Sequence, residues 1–404
     1  MSAWLTIIGV GDDGLAGLSA ASLAMVQSAA IVYASERIAS KADVPNAELF
    51  IWETGYDETL AALLKRRGSP VIVLATGDPM HFGIGATLSR IIKPAEVIVI
   101  PHQSAFSLAA ARLGWPLQDA ACISLHGRPV ANLAKYLAPR ARILALTSSG
   151  RTVSEAAALL AECGYGRSTL TVLEHMGGAK EARHAFVADE AAARRFSDLN
   201  TLAIECDDYP DTTHFSAIPG LPDEAFQHDG QLTKREIRAA TLAQLMPFPG
   251  ALLWDIGAGC GSIGIEWMRA AREARAIAIE ENAGRLAMIG MNAVKLGVPD
   301  LKIVQGSAPD ALAGLPEPDA VFIGGGVTDA GVFEAAFAAM RQGGVLVANA
   351  VTVEGEARLI EMAKLHSGAL SRIAVSRAEP VGGFMAFKPM MPVTILTIRK
   401  KNPE

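Results

Sequence analysis

The chain has 404 residues, too many for one ordinary core and enough for two domains of about 200 residues each. Half of the residues are hydrophobic, only 6% are aromatic and 38 are glycine, a balance that suits α/β layers with close helix packing and argues against a β-sandwich. A formal net charge of −6 without any basic block argues against a nucleic-acid surface, and no run approaches the ~20 apolar residues that span a bilayer.

Residues 1–5 lack the basic start and long apolar run of a secretory signal. The four cysteines, Cys122, Cys163, Cys206 and Cys260, form no C-x-x-C pair. Buried thiols in a reducing cytoplasm are the expected state.

In chain order, apolar runs at 4–10, 71–75, 97–100, 143–146 and 170–173 read as buried strands. Helical spacing at 104–113 and 152–163 falls between them. This alternation predicts an α/β domain over 1–206 with a mostly parallel sheet. Residues 207–230, with prolines, acids and little periodicity, read as a linker.

A cleaner rhythm occupies 231–404: helix 233–245, strand 252–256, a glycine turn, helix 262–271, strand 276–280 and helix 282–296. Strands 301–304 and 320–323, helix 329–340, strand 345–349 and helix 353–365 follow. Strands 371–375 and 393–398 have no helix between them and should pair as an antiparallel hairpin at the sheet edge. The two halves do not repeat one another, so the chain reads as a fusion.

The strongest chemical signal lies in the second half, in Trp254-Asp255-Ile256-Gly257-Ala258-Gly259-Cys260-Gly261-Ser262. An apolar strand runs into alternate glycines and then a helix, which lets a ligand approach the main chain without meeting Cβ atoms. Glu280 ends the next strand, where a carboxylate can accept hydrogen bonds from both ribose hydroxyls of an adenosine. A glycine turn alone also fits a ligand-free strand–helix connection. Asp255 directly before the glycines, and Gln305-Gly306-Ser307-Ala308-Pro309-Asp310 after the third strand, favour a cofactor.

Thr233-Lys234-Arg235-Glu236-Ile237-Arg238, the glycine segment, Phe322-Ile323-Gly324-Gly325-Gly326 and Ala348-Asn349-Ala350-Val351-Thr352 together resemble the decarboxylating precorrin methylase family. The resemblance covers 231–404 and implies a Rossmann-like class I methyltransferase fold using S-adenosylmethionine. It places Thr233, Asp255, Gly257, Ala258, Gly259, Cys260, Gly261, Glu280 and Ala308 against the cofactor. Lys234, Arg235 and Arg238 are candidates to anchor substrate carboxylates, and Glu236 or Arg238 to position an acetate. A solvated helix face explains the same cluster equally well.

In the first half, Gly9, Gly11 and Gly14 follow a strand in Ile7-Ile8-Gly9-Val10-Gly11-Asp12-Asp13-Gly14. A dinucleotide reading is weak, because Ile31–Tyr33 leads only to Ala34-Ser35-Glu36. The deciding segment is Thr76-Gly77-Asp78-Pro79-Met80-His81-Phe82-Gly83. With the first glycine loop it resembles the tetrapyrrole methylases, a class III methyltransferase fold. Segments 104–115, 124–128 and 174–178 are similar to the corrin C5-methylase branch. The resemblance implies that Gly9, Gly11, Gly14, Gly77, Asp78 and Pro79 hold a second cofactor. Asp12-Asp13 departs from the Pro-Gly of many relatives and puts the loop conformation in question. Arg128 could fork onto a substrate carboxylate. His126 is either its neighbour in the site or a ring bonded to backbone, and His175 reads as structural.

The two resemblances together imply S-adenosylmethionine-dependent methylation of precorrin-6B at C5 and C15, with loss of the ring C acetate carboxyl, giving precorrin-8 in cobalamin biosynthesis. The N-terminal domain would act at C5 and the C-terminal one at C15. A small tetrapyrrole is then the expected partner, with no nucleic acid, membrane or metal. Relatives of both domains self-associate, which makes a homo-oligomer the expected state. One alternative is the same chemistry on cobalt-precorrins of the anaerobic route. Another is a class I methyltransferase for RNA or protein with an N-terminal binding module. Ile323-Gly324-Gly325-Gly326, where base methylases often carry an Asn-Pro-Pro-Tyr type segment, argues against the last.

Overall fold

Runs such as β1 (Leu5–Val10) and β4 (Val71–Thr76) are apolar almost throughout, so they belong in a sheet covered on both faces. In the computed structural model, which describes residues 3–52, 56–211 and 214–401, they sit side by side. With β2 (Ile31–Ser35), β3 (Glu48–Trp52) and β5 (Val97–Ile100) they form an all-parallel sheet of order β3-β2-β4-β1-β5. Trp4, Ile7, Tyr33 and Val73 pack on one face, and Ile8, Val10, Val32 and Leu74 on the other. Register pairs Gly9 with Ala75 and Val10 with Thr76, so the loops leaving β1 and β4 emerge together.

A second sheet follows, of order β6-β7-β10-β8-β9, from β6 (Ala120–Ser124), β7 (Arg142–Leu146), β8 (Thr169–Glu174), β9 (Ala182–Val187) and β10 (Asn200–Glu205). Only β6 and β7 run parallel, which corrects the expectation of a mostly parallel sheet for this part. For the β8–β9 pair the reason is chain length. Residues 175–181 between β8 and β9 are too few for the dozen or more that a parallel crossover needs.

Asp12 fixes the first loop in place. Its buried carboxylate takes Arg37 Nη1 at 3.0 Å and Lys41 Nζ at 2.6 Å on one oxygen, and His175 Nδ1 at 3.2 Å on the other. His175, in the loop after β8, also bonds Ser197 Oγ through Nε2 at 2.8 Å. The aspartate thus ties the first sheet to the second, and His175 is structural as expected. Burial raises its carboxyl, but the Lys41 and His175 hydrogen bonds and the Lys41 and Arg37 charges outweigh that and hold it below its ordinary value.

The second unit carries a seven-stranded sheet of order β13-β12-β11-β14-β15-β19-β16. Its strands are β11 (Leu252–Ile256), β12 (Arg275–Glu280), β13 (Lys302–Gln305), β14 (Ala320–Ile323), β15 (Val345–Ala350), β16 (Ala369–Ile373) and β19 (Val393–Arg399). The first five are parallel, and β19 runs antiparallel between β15 and β16. The predicted pairing of the last two apolar strands is present, with β16 at the edge and β19 inside. Between them the chain makes a further hairpin, β17 (Ser376–Val381) and β18 (Phe384–Pro389). Its Phe384 and Phe387 are exposed, so burial gave the sequence no pattern to follow.

The chain divides into two compact units, Met1–Val130 with Pro139–Thr212, and Ala131–Ala138 with Thr213–Glu404. The segment expected as a linker therefore folds largely with the second unit. Leu221, Ala225 and Phe226 enter its core beside Ile237, Leu242 and Leu253. Arg238 fixes that segment. Wholly buried, its guanidinium ion-pairs with Asp223 and Glu266 and donates to the Thr233 and Leu221 carbonyls. Glu266 in turn accepts the Gly220 and Leu221 N–H groups at 2.6 and 3.1 Å. No helix among the described residues is long and apolar enough to cross a membrane.

Arg238→Met should cost about 3–5 kcal/mol, because it strands buried carboxylates. Urea unfolding of the full chain measures this, and a variant as stable as wild type would refute the role. Asp12→Asn should cost about 1–3 kcal/mol at neutral pH. Since the folded carboxyl titrates below its ordinary 3.8, that contribution is full above this pH and vanishes as pH falls through the lower folded value. Wild-type and variant unfolding curves should therefore converge in acid.

Candidate functional site

In the second unit the ends of the parallel strands open onto one cavity of about 550 Å³, within the ~300–1,000 Å³ typical of small-molecule sites. β11 enters a turn in which Gly257, Gly259 and Gly261 all have positive φ, conformations that favour glycine. A Cβ on Gly257 would lie 2.8 Å from Gly325 N, so the turn after β11 and the loop after β14 touch main chain to main chain. Gly259 N–H donates to Glu280 Oε2 at 2.9 Å, and Asn282 N–H to Oε1 at 3.0 Å. Arg285 Nη1 lies 3.8 Å from the same Oε1. Each oxygen of Glu280 keeps acceptor capacity for a diol. The glycine cradle and this carboxylate fit an adenosine-bearing cofactor.

Of the sequence candidates, Thr233, Lys234, Gly257, Ala258, Gly259, Glu280 and Ala308 line this cavity. Lys234 is half-buried and has no ion-pair partner among the described residues. Asp255, Cys260 and Gly261 do not line it. Asp255 lies behind the turn, where Oδ2 accepts Gly264 N–H at 2.9 Å while Oδ1 is buried without a partner. Burial pushes its carboxyl up to about 7 despite the Gly264 bond, and the Glu280 charge adds to the rise. Its part is to hold the start of helix Ser262–Ala270 in place. Cys260 points into the core, and a Cβ on Gly261 would sit 3.0 Å from Ile289.

Two catalytic candidates are corrected. Every nitrogen of Arg238 is spent inside the fold, so none remains for a substrate. Glu236 faces away from the cavity toward Arg377, at 2.7 Å, and Arg377 also grips Asp223 at 3.0 Å. Lys234 is the extended N-cap ahead of helix Arg235–Leu245 and lines the cavity, whereas Arg238 points into the core and Glu236 lies at the exposed surface against Arg377. Arg285, Asp329, Met390 and Met391 also line the cavity and were not singled out by sequence. The two methionines come from the stretch around the unpredicted hairpin.

The first unit builds its cradle similarly. A Cβ on Gly9 would lie 2.3 Å from Gly77 O and 2.6 Å from His102 N, so chain leaving β1, β4 and β5 converges there. Gly77 N–H donates to Val10 O at 2.8 Å, and both Gly14 and Gly77 have positive φ. A Cβ on Gly11 would meet Asp13 Oδ1 at 2.5 Å. Asp78 Oδ1 accepts Met80 N–H at 2.8 Å, closing an Asx turn, and Pro79 backs onto Gly83 and Gly85. His126 Nδ1 lies 3.3 Å from Thr147 O, a backbone tether. Arg128, two residues on, is exposed, and its side chain makes no hydrogen bond or ion pair among the described residues.

Comparison with known proteins agrees with both halves. Residues 4–192 match the family of Tetrapyrrole (Corrin/Porphyrin) Methylases, and residues 224–400 the Precorrin methyltransferase domain. A precorrin-6Y C(5,15)-methyltransferase [decarboxylating] of Sinorhizobium sp is 48% identical over 98% of this chain and 96% of its own length. The protein of that name in Mycobacterium tuberculosis (strain CDC 1551 / Oshkosh) is 39% identical, over 98% of this chain and 100% of its own. The crystal structure of the C-terminal domain of precorrin-6Y C5,15-methyltransferase from Rhodobacter capsulatus shares 44% identity, covering 46% of this chain and 99% of that one, with a TM-score of 0.44. By kinship along nearly its whole length, the chain belongs to the family of decarboxylating precorrin-6Y C(5,15)-methyltransferases.

Proposed function

We propose that this chain methylates precorrin-6B at C5 and C15 with loss of carbon dioxide from the ring C acetate, giving precorrin-8, and that each unit holds its own S-adenosylmethionine. The observation that carries this reading is the pair of independent glycine cradles, at Gly9 against Gly77 and at Gly257 against Gly325, in one chain of this family. The N-terminal unit acts at C5. The C-terminal unit acts at C15 and removes the carboxyl.

S-adenosylmethionine supplies a methyl already activated by its sulfonium. The protein therefore needs no strong nucleophile of its own; it must hold the acceptor carbon in line and exclude water. Glu280 fixes the ribose end in the second unit, and the bare main chain of Gly257 and Gly259 leaves room for close approach. Lys234 and Arg128, both without ionic partners among the described residues, anchor acetate and propionate groups of the acceptor in their respective units. A methylated bridge leaves a conjugated iminium in the macrocycle, which accepts the electron pair freed when the acetate loses carbon dioxide.

Gly259→Val strains a backbone at φ +60° and crowds Gln231 O, 3.2 Å from the new Cβ. It should abolish C15 methylation and decarboxylation while C5 methylation persists, read by the mass and methyl positions of the product. Calorimetry with S-adenosylhomocysteine should fall from two equivalents per chain to one, and a wild type that binds only one equivalent would overturn the two-site reading. Glu280→Gln should weaken binding at the second site by about ten- to a hundredfold and leave the first unaffected. Turnover of metal-free against cobalt-loaded precorrin decides between the two forms of substrate.

A further inference from the structure

Phe82 has φ +57°, in the left-handed region that bulky L side chains avoid, and its ring is exposed. Such a strained residue persists only where its surroundings hold it, and residues of this kind cluster at functional sites, although structural ones such as His175 share the conformation. Phe82 lies on the loop that leaves β4, five residues beyond Gly77 of the N-terminal cradle. His81 stacks on it, centroids 5.3 Å apart, and both rings lean on the wholly buried Phe106, at 4.6 Å from His81 and 5.8 Å from Phe82. The loop after β6 brings Arg128 from the second sheet, its guanidinium 5.8 Å from the Phe82 centroid. Met80, also exposed, extends the apolar surface.

Folding gains little from an exposed ring in a strained backbone beside a cation that no carboxylate pairs among the described residues. A flat, conjugated ligand with carboxylates at its edge complements each part: ring face on ring face, and carboxylate on guanidinium. We propose that Phe82, stiffened by His81 and Phe106, is the platform on which the tetrapyrrole acceptor of the N-terminal unit lays one face while Arg128 takes a peripheral carboxylate. This rests on the methyl-transfer reading above and adds the side chain that orients the macrocycle at the first cradle.

The test uses the full chain with precorrin-6B and labelled S-adenosylmethionine, scoring methyl at C5 and C15 separately. Phe82→Ala should raise KM for C5 methylation about tenfold. The C5-to-C15 methyl ratio should fall at low acceptor and recover at saturation, and Phe82→Tyr should restore KM. Phe82→Gly is relaxed at this φ; it should show the same rise in KM with thermal stability and S-adenosylhomocysteine stoichiometry kept. Loss of stability or of N-terminal cofactor binding in both the Ala and Gly variants would make Phe82 a structural residue and overturn the platform. Unchanged KM in both variants, with an active wild type, overturns it too. A wild type that methylates neither carbon sinks the methyl-transfer reading itself, and the platform with it.

Discussion

Main chain lies against main chain at the carboxyl ends of parallel strands, and both sites depend on that contact. At Gly9 and at Gly257 any side chain would collide with the neighbouring strand's loop, at 2.3 and 2.8 Å respectively. Parallel pairing makes this geometry available, because it brings successive strand ends and their loops to one edge of the sheet. Two unrelated topologies, β3-β2-β4-β1-β5 and β13-β12-β11-β14-β15-β19-β16, reach the same solution. In each the backbone, not side chains, forms the cradle.

Charge serves two separate purposes around these cradles. Asp12 and Arg238 are saturated by partners and hold elements together, the first joining two sheets and the second fastening the chain from Gly220 to Phe226 onto the second unit. Burial strengthens such contacts and makes each partner costly to remove. Among the described residues Lys234 and Arg128 have no ionic partner, which under the proposed function leaves them to receive a carboxylate. The same residue types thus act as fasteners or as anchors according to what surrounds them.

Most strands and helices of the second unit were legible in sequence, since buried parallel strands are unbroken apolar runs and their glycine turns are punctuation. The β17–β18 hairpin was not: Phe384 and Phe387 face solvent, and an exposed ribbon carries no burial period. The edge strand β9, with Arg183 and His184 exposed, escaped notice for the same reason. The parallel or antiparallel sense of the second sheet also lay outside local pattern, because it depends on which strands become neighbours.

The sequence by itself determined the family, the two glycine cradles and the carboxylate Glu280, because each is a short contiguous signal whose chemistry depends on local backbone freedom. Tertiary structure alone decided what Asp255, Glu236 and Arg238 do. All three lie in or beside motif segments, yet Asp255 backs the turn, Glu236 faces Arg377, and Arg238 is consumed by Asp223, Glu266 and two carbonyls. A charged side chain anchors a ligand only if nothing nearer claims it, and its claimants come from distant parts of the chain.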